Sequence, residues 1–114
     1  GDLVFTHSWP LSLKPLYILP KDKKLSKGFD ALYQGIEISS GGQRVHLPEV
    51  LIKQLKECKL NPKDFEFYVN SFRFGSPIHS GWSIGLERFT MALLKLNNIR
   101  EACLFPRDRE RLTP

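Results

Sequence analysis

The sequence has no apolar run approaching the roughly 20 residues of a membrane-spanning helix, and its first residues lack the basic, apolar and small-residue zones of a secretory leader. A soluble, cytoplasmic protein without a membrane partner is the expectation. Cysteine is scarce. Cys58 and Cys103 stand far apart with no metal-ligand spacing around them, so two reduced thiols are expected rather than a disulfide framework. The chain also lacks a Gly-rich phosphate loop ending in Lys-Ser or Lys-Thr, a GxSxG elbow, and histidines paired at helical spacing. The enzyme classes built on those motifs are set aside. No internal repeat and no low-complexity tract is found.

What is present is an ordinary globular balance. Hydrophobic residues make up 41% and charged residues 25% of 114, enough for one domain over residues 1–114 with a single core. The net charge of +5 suits a polyanionic partner, but the basic residues are scattered, with local excess only in "KDKKLSK" and "RDRERL". The chain starts at Gly1 rather than Met, which fits a processed product, a tagged chain or a fragment.

Local patterns predict an α+β fold, an antiparallel sheet flanked by helices. Leu3 to Thr6 reads as a strand, and "HSWPLSLKP" as an irregular crossing around Pro10 and Pro15. "LYIL" before Pro20 reads as a further strand, and "PKDKKLSKG" as a solvent loop. From Phe29 onward apolar residues alternate, with a break at Gly35. A turn at Gly41-Gly42 then predicts a strand returning through Gln43 to Leu47. Pro48 opens a helix with Val50, Leu51 and Leu55 on one side. Asn61 caps a second, with Pro62 first, Asp64 in its first turn and Phe65, Tyr68, Val69 and Phe72 inward. "GWSIGLERFTMALLKL" predicts a strand and then a helix starting at Gly85, whose Leu86, Phe89, Leu93 and Leu96 face a core. "EACLFP" reads as a short strand stopped by Pro106.

Several polar residues sit oddly in this pattern. Glu87 in a first helical turn suits the helix dipole, whereas Arg88 beside it opposes the dipole. Either an anionic or aromatic partner compensates, or Arg88 is a solvated arginine on a helix face. Asp30 and Glu37 lie on a bent strand that can bring two carboxylates to one cation, or they are the polar side of a solvent-facing strand. Arg44 beside two glycines matches a carboxylate through its guanidinium fork, although a plain hairpin needs those glycines too. His79, in the loop "SPIHSG", is either a substrate contact or an ordinary polar side chain.

Taken together, "GFDALYQGIEISSGGQRVH", "SPIHSGWSIGLERFTMALLKLNNIREACLFPRD" and "RLTP" resemble the C-terminal part of the catalytic domain of class II aminoacyl-tRNA synthetases. The likeness is to the aspartyl branch of the archaeal and eukaryotic type. It runs from "PLSLKPLYILP" onward, with "GLER" as the family's third signature motif and "EISSGGQR" with "LFPRD" as the more specific signals. The resemblance implies that Arg88 lies on the adenine of ATP and reaches its terminal phosphate, with Gly85, Leu86 and Glu87 lining that pocket. It implies that Glu37 coordinates Mg2+ bridging the phosphates, with Asp30 and Ser40 in the metal shell. Ser40 and Arg44 would touch the aspartate, Arg44 through its side-chain carboxylate, and Lys27 and His79 would line the amino-acid pocket. The implied chemistry is formation of aspartyl-adenylate and transfer to tRNA by a homodimeric parent enzyme, of which this chain carries about half an active site. An alternative is a truncated relative that no longer aminoacylates and acts as a binding or regulatory module. The family usually shows "KSFD", "HGG" and a glycine where this chain has Gly28, Ser80 and Ser83, so Ser83 adds a side chain where backbone normally passes close to ATP.

Overall fold

In the computed structural model, residues 2–113 are described. Four strands form one antiparallel sheet in the order β1 (Leu3–His7), β2 (Gly28–Tyr33), β3 (Ile36–Gln43), β4 (Ser80–Ile84). Three helices accompany it: α1 (Pro48–Glu57), α2 (Glu66–Arg73) and α3 (Leu86–Leu94). The α+β expectation holds.

The period-two alternation does produce β2 and β3, but the turn between them is at Gln34-Gly35 and not at Gly41-Gly42. Tyr33 pairs with Ile36, and both loop residues have positive φ, 52° and 80°, the pattern of a tight two-residue hairpin. Gly41 and Gly42 lie inside β3 because neighbouring strands come close there. A Cβ on Gly42 would stand 2.6 Å from the Lys27 carbonyl oxygen, and one on Gly41 2.6 Å from Trp82 Cβ. No strand returns through residue 47. The chain instead runs on past the end of β3 and is bonded by the "LYIL" segment, which forms only a bridge of Ile18 with Arg44, flanked by Leu19 N–H to the Gln43 carbonyl and Val45 N–H to the Tyr17 carbonyl. A bulge at Ala31/Leu32 pairs Ala31 with Ser39 but Leu32 with Glu37, leaving Ile38 as the extra residue of β3.

The core sits beside the sheet. Leu51 and Leu55 of α1 and Val69 of α2 close on Val45, with Leu16, Leu19, Phe65, Tyr68 and Phe72 around them. Pro48 opens α1 as expected. Asn61 caps a single 3-10 turn, Pro62–Phe65, that leads into α2, its side chain accepting from the Lys63 N–H at 3.2 Å.

Two further expectations fail. "EACLFP" is no strand: Ile99–Ala102 is a 3-10 turn capped by Asn98, followed by irregular chain. The apolar stripe of α3 also fails to enter the core. Ala92 is buried, but Leu86 and Leu93 are 70% and 66% exposed, because β3 and the Ile99–Ala102 turn cover only part of the helix.

Candidate functional site

Arg88 occupies the first turn of α3, which begins directly after β4 because Gly85 turns the chain there. The Gly85 N–H donates to the Ile38 carbonyl at 2.9 Å, which pins the start of α3 against the middle of β3. From that point Arg88 reaches back over the sheet. Its Nη1 donates to the Glu37 carbonyl at 3.1 Å and meets Glu37 Oε1 at 3.4 Å. Both side chains remain about half exposed, at 49% and 45%, so the pair adds little stability. Its effect is orientation: Arg88 is aimed, not loose in solvent. Glu37, Ser40, Ser83, Gly85, Glu87 and Arg88 together line a hollow of about 220 Å³. Leu86 is not among its walls and points outward.

A second, shallower cleft lies at the far end of β3. Arg44 stacks on the ring of Tyr17, 4.5 Å from its centroid. Gly81 leaves room for it, since a Cβ there would stand 3.0 Å from the guanidinium nitrogens. His79 and Tyr68 complete the walls. The His79 carbonyl accepts from the Arg44 N–H at 2.9 Å, and its ring Nδ1 lies 2.8 Å from the Pro77 carbonyl oxygen. Burial raises the pKa of Tyr68 above its ordinary 10.0, with the Arg44 charge pulling the other way. Among the described residues no carboxylate forms an ion pair with Arg44. The site therefore offers a half-buried, oriented guanidinium with its fork free, which is what a ligand carboxylate requires. Lys27 stands near the same end of the sheet and donates to Gln43 Oε1 at 3.0 Å.

Asp30 is placed differently. Its carboxylate Oδ1 accepts from Lys14 Nζ at 2.5 Å and from Ser40 Oγ at 2.7 Å, and the Lys14 and Asp30 side chains are each only 9% exposed. Asp30 and Glu37 are thus not presented as a pair. Among the described residues no group of three or more His, Cys, Asp or Glu is arranged to hold a metal. Magnesium usually binds through one or two carboxylates plus substrate phosphates and water. The half-exposed Glu37 carboxylate suits that use, whereas Asp30, already neutralised by Lys14, does not.

Lys14, Tyr17 and Tyr68 escaped the sequence reading. Lys14 lies in a proline-bounded crossing, 16 residues from Asp30, and no periodic signal links the two. Tyr17 belongs to a segment whose pattern reads as a strand, and the spacing of Tyr68 places it on a helix face that reads wholly as core.

Residues 1–109 match the family model of the class II tRNA synthetases (D, K and N). The chain belongs to this family. Among curated relatives, the aspartate–tRNA(Asp) ligase of Thermoplasma acidophilum is 54% identical over 112 residues, covering 96% of this chain and 26% of the relative. That of Pyrococcus horikoshii is 51% identical over 116 residues, covering 100% of this chain and 26% of the relative. Among solved structures, the aspartyl-tRNA synthetase of Entamoeba histolytica superposes with a TM-score of 0.92 at 43% identity, over 99% of this chain and 24% of that one. The asparaginyl-tRNA synthetase of Pyrococcus horikoshii with asparaginyl-adenylate gives 0.91 at 35%, over 98% and 27%. The chain spans about a quarter of the length of the curated relatives it matches, and its four-stranded sheet with three helices is a partial class II synthetase domain. No helix among the described residues is long and apolar enough to cross a membrane.

Proposed function

We propose that this chain is the C-terminal part of the catalytic domain of an aspartate–tRNA ligase, which activates L-aspartate with ATP and passes the aspartyl group to tRNA. The observation that carries this reading is the identity of about half to relatives named aspartate–tRNA ligases along essentially the whole chain. The free fork of Arg44 supports aspartate as the amino acid.

In this reading an aspartate α-carboxylate oxygen attacks the α-phosphorus of ATP, the bond to pyrophosphate breaks, and aspartyl-adenylate forms. The terminal adenosine of the tRNA then takes the aspartyl group and releases AMP. No residue of this chain forms a covalent bond. Arg44 holds the aspartate side-chain carboxylate while His79 and Lys27 border the amino acid. Arg88 stacks on adenine and meets the terminal phosphate, and Gly85 and Glu87 lie along the nucleotide. Glu37 orients Arg88 and would hold the magnesium that ATP carries, whose charge would neutralise the phosphates. Catalysis is then positioning and electrostatics. A homodimeric, cytoplasmic parent enzyme belongs to the same proposal.

The test is a hybrid in which this chain replaces the matching segment of the Thermoplasma acidophilum relative, followed by aspartate-dependent pyrophosphate exchange. Exchange that depends on L-aspartate and not on L-asparagine is expected. A folded hybrid without exchange, or one that prefers asparagine, sinks the proposal.

A further inference from the structure

Gln54 is the one buried polar residue of α1, placed between Leu51 and Leu55 on the face that enters the core. It is only 5% exposed. Its Nε2 donates to the Ile18 carbonyl at 3.2 Å, which leaves Oε1 buried without a hydrogen-bond partner. Buried acceptors are almost always met, so this one points to a donor from outside the chain. Two hollows of about 510 and 560 Å³ meet at this side chain, and Leu11, Lys23, Gln54 and Glu57 line both. Volumes of that order suit a small molecule. Neither hollow shares a residue with those that hold Arg44 or Arg88. The first has a largely apolar wall, to which Leu19, Pro20 and Val50 contribute, each partly buried.

The polar residues common to both hollows differ in kind. Gln54 offers a neutral acceptor, Glu57 a carboxylate and Lys23 an ammonium. Glu57 has only a long contact with Lys53, at 3.9 Å, and among the described residues no carboxylate pairs with Lys23. The loop that carries Lys23 is fixed. The Lys21 N–H donates to the Leu25 carbonyl at 2.8 Å and the Leu11 N–H to the Lys24 carbonyl at 2.7 Å, while Asp22 Oδ1 accepts from the Lys24 and Leu25 N–H groups.

We propose that the two hollows form a binding site for a free aliphatic α-amino acid. Its side chain enters among Leu11, Leu19, Pro20 and Val50, its ammonium donates to Gln54 Oε1 and to Glu57, and its carboxylate meets Lys23. An ammonium only donates and a carboxylate only accepts, so each shared polar residue has one complement on the ligand. A side chain with its own charge is excluded by the apolar wall, which separates this ligand from the aspartate of the proposed function. The inference does not rest on that function. It needs only α1, the loop that carries Lys23 and the Leu11–Pro20 crossing.

The test is an NMR titration of the chain with L-leucine, read at the Gln54 side-chain amide and at the backbone amides of Lys23 and Glu57. Saturable shifts at all three are expected. Isocaproate, which lacks the ammonium, and isoamylamine, which lacks the carboxylate, should each bind about tenfold or more weakly, the loss of a hydrogen bond to a charged group. L-Aspartate should leave Gln54 unmoved. Lys23→Met and Glu57→Gln alter exposed side chains, so the melting temperature should hold while each weakens L-leucine by about tenfold. Glu57→Gln should also lose the preference for L-leucine over isocaproate, and Lys23→Met the preference over isoamylamine. Gln54→Leu should abolish binding, and if that variant fails to fold the two exposed variants decide. Shifts that rise without saturation, or L-leucine binding unchanged in either exposed variant, overturn the proposal. A long-lived water at the Gln54 amide that L-leucine does not displace identifies the missing donor as a buried water only, and also overturns it. So does tighter binding of N-acetyl-leucinamide than of L-leucine, which would assign the hollows to a peptide segment.

Discussion

Arg88 and Glu37 lie 51 positions apart in the chain and meet twice, at the Glu37 carbonyl and at its carboxylate. The contact gives the Arg88 charge an anionic partner within the chain. An arginine that opposes a helix dipole is held in place by strand β3, with the pair left half exposed.

That geometry predicts the behaviour of Arg88→Lys in the hybrid enzyme. Lysine keeps the charge but has neither the planar stacking surface nor the fork, so adenylate formation should fall by two or more orders of magnitude, roughly 2 to 4 kcal/mol of transition-state stabilisation. The pair with Glu37 is half exposed, so the ligand-free melting temperature should barely move. A sharp drop in melting temperature with unchanged activity per folded molecule makes Arg88 a structural residue.

Gly42→Ala should cost about 1 to 3 kcal/mol, as overpacking does, because the new Cβ lands 2.6 Å from a backbone oxygen that cannot step aside. Gly35→Ala tests a different cause: space is open there, but φ is +80°, so its penalty comes from backbone strain alone. Urea midpoints measure both. A neutral Gly42→Ala contradicts the strand spacing described here.

Asp22 gives a pH prediction. Its Oδ1 accepts from the Lys24 N–H at 2.7 Å and the Leu25 N–H at 2.8 Å, and these bonds, Lys24 first, hold its carboxyl below the ordinary 3.8. Since the folded value is the lower one, its contribution is present above 3.8 and is lost as pH falls through the folded value. The Lys24 and Leu25 amide shifts should therefore titrate together with a midpoint under 3.8, and Asp22→Asn should abolish the titration. A midpoint at or above 3.8 counts against the turn.

Edge strand β1 leaves Leu3, Val4 and Phe5 more than half exposed, and α3 adds Leu86, Leu93 and Leu94. Unpaired strand edges and apolar patches promote association, so light scattering should show a mass that rises with concentration. A clean monomer over the whole range refutes this.

The parts of the fold legible in the sequence were those set by local chemistry. Alternation exposed β2 and β3, Pro48 opened α1, and Gly85 followed by apolar spacing marked α3. The errors arose where distant chain decides. A glycine pair signals a turn and a close strand approach equally well, and only the neighbouring Lys27 and Trp82 distinguish them. Gln34 conceals the true turn because glutamine is not a usual left-handed residue. Helical spacing in α3 shows which residues share a face but not what covers it. At the site, Arg88, Glu37 and Arg44 stand out as charges in apolar surroundings, whereas Lys14 becomes visible only when folding brings a proline-rich crossing beside β2.

The bulge in β3 sets the phase of the whole site. Glu37 and Ser40 are three residues apart, an odd interval that in a regular strand sends two side chains to opposite faces, yet both line one hollow. Ile38, the unpaired extra residue, acts as a frame shift in space. It moves Glu37 into step with Ser40, so the length of this strand is as much a part of the site as the identity of any residue in it. A relative could keep every polar residue and lose the constellation by losing one aliphatic position.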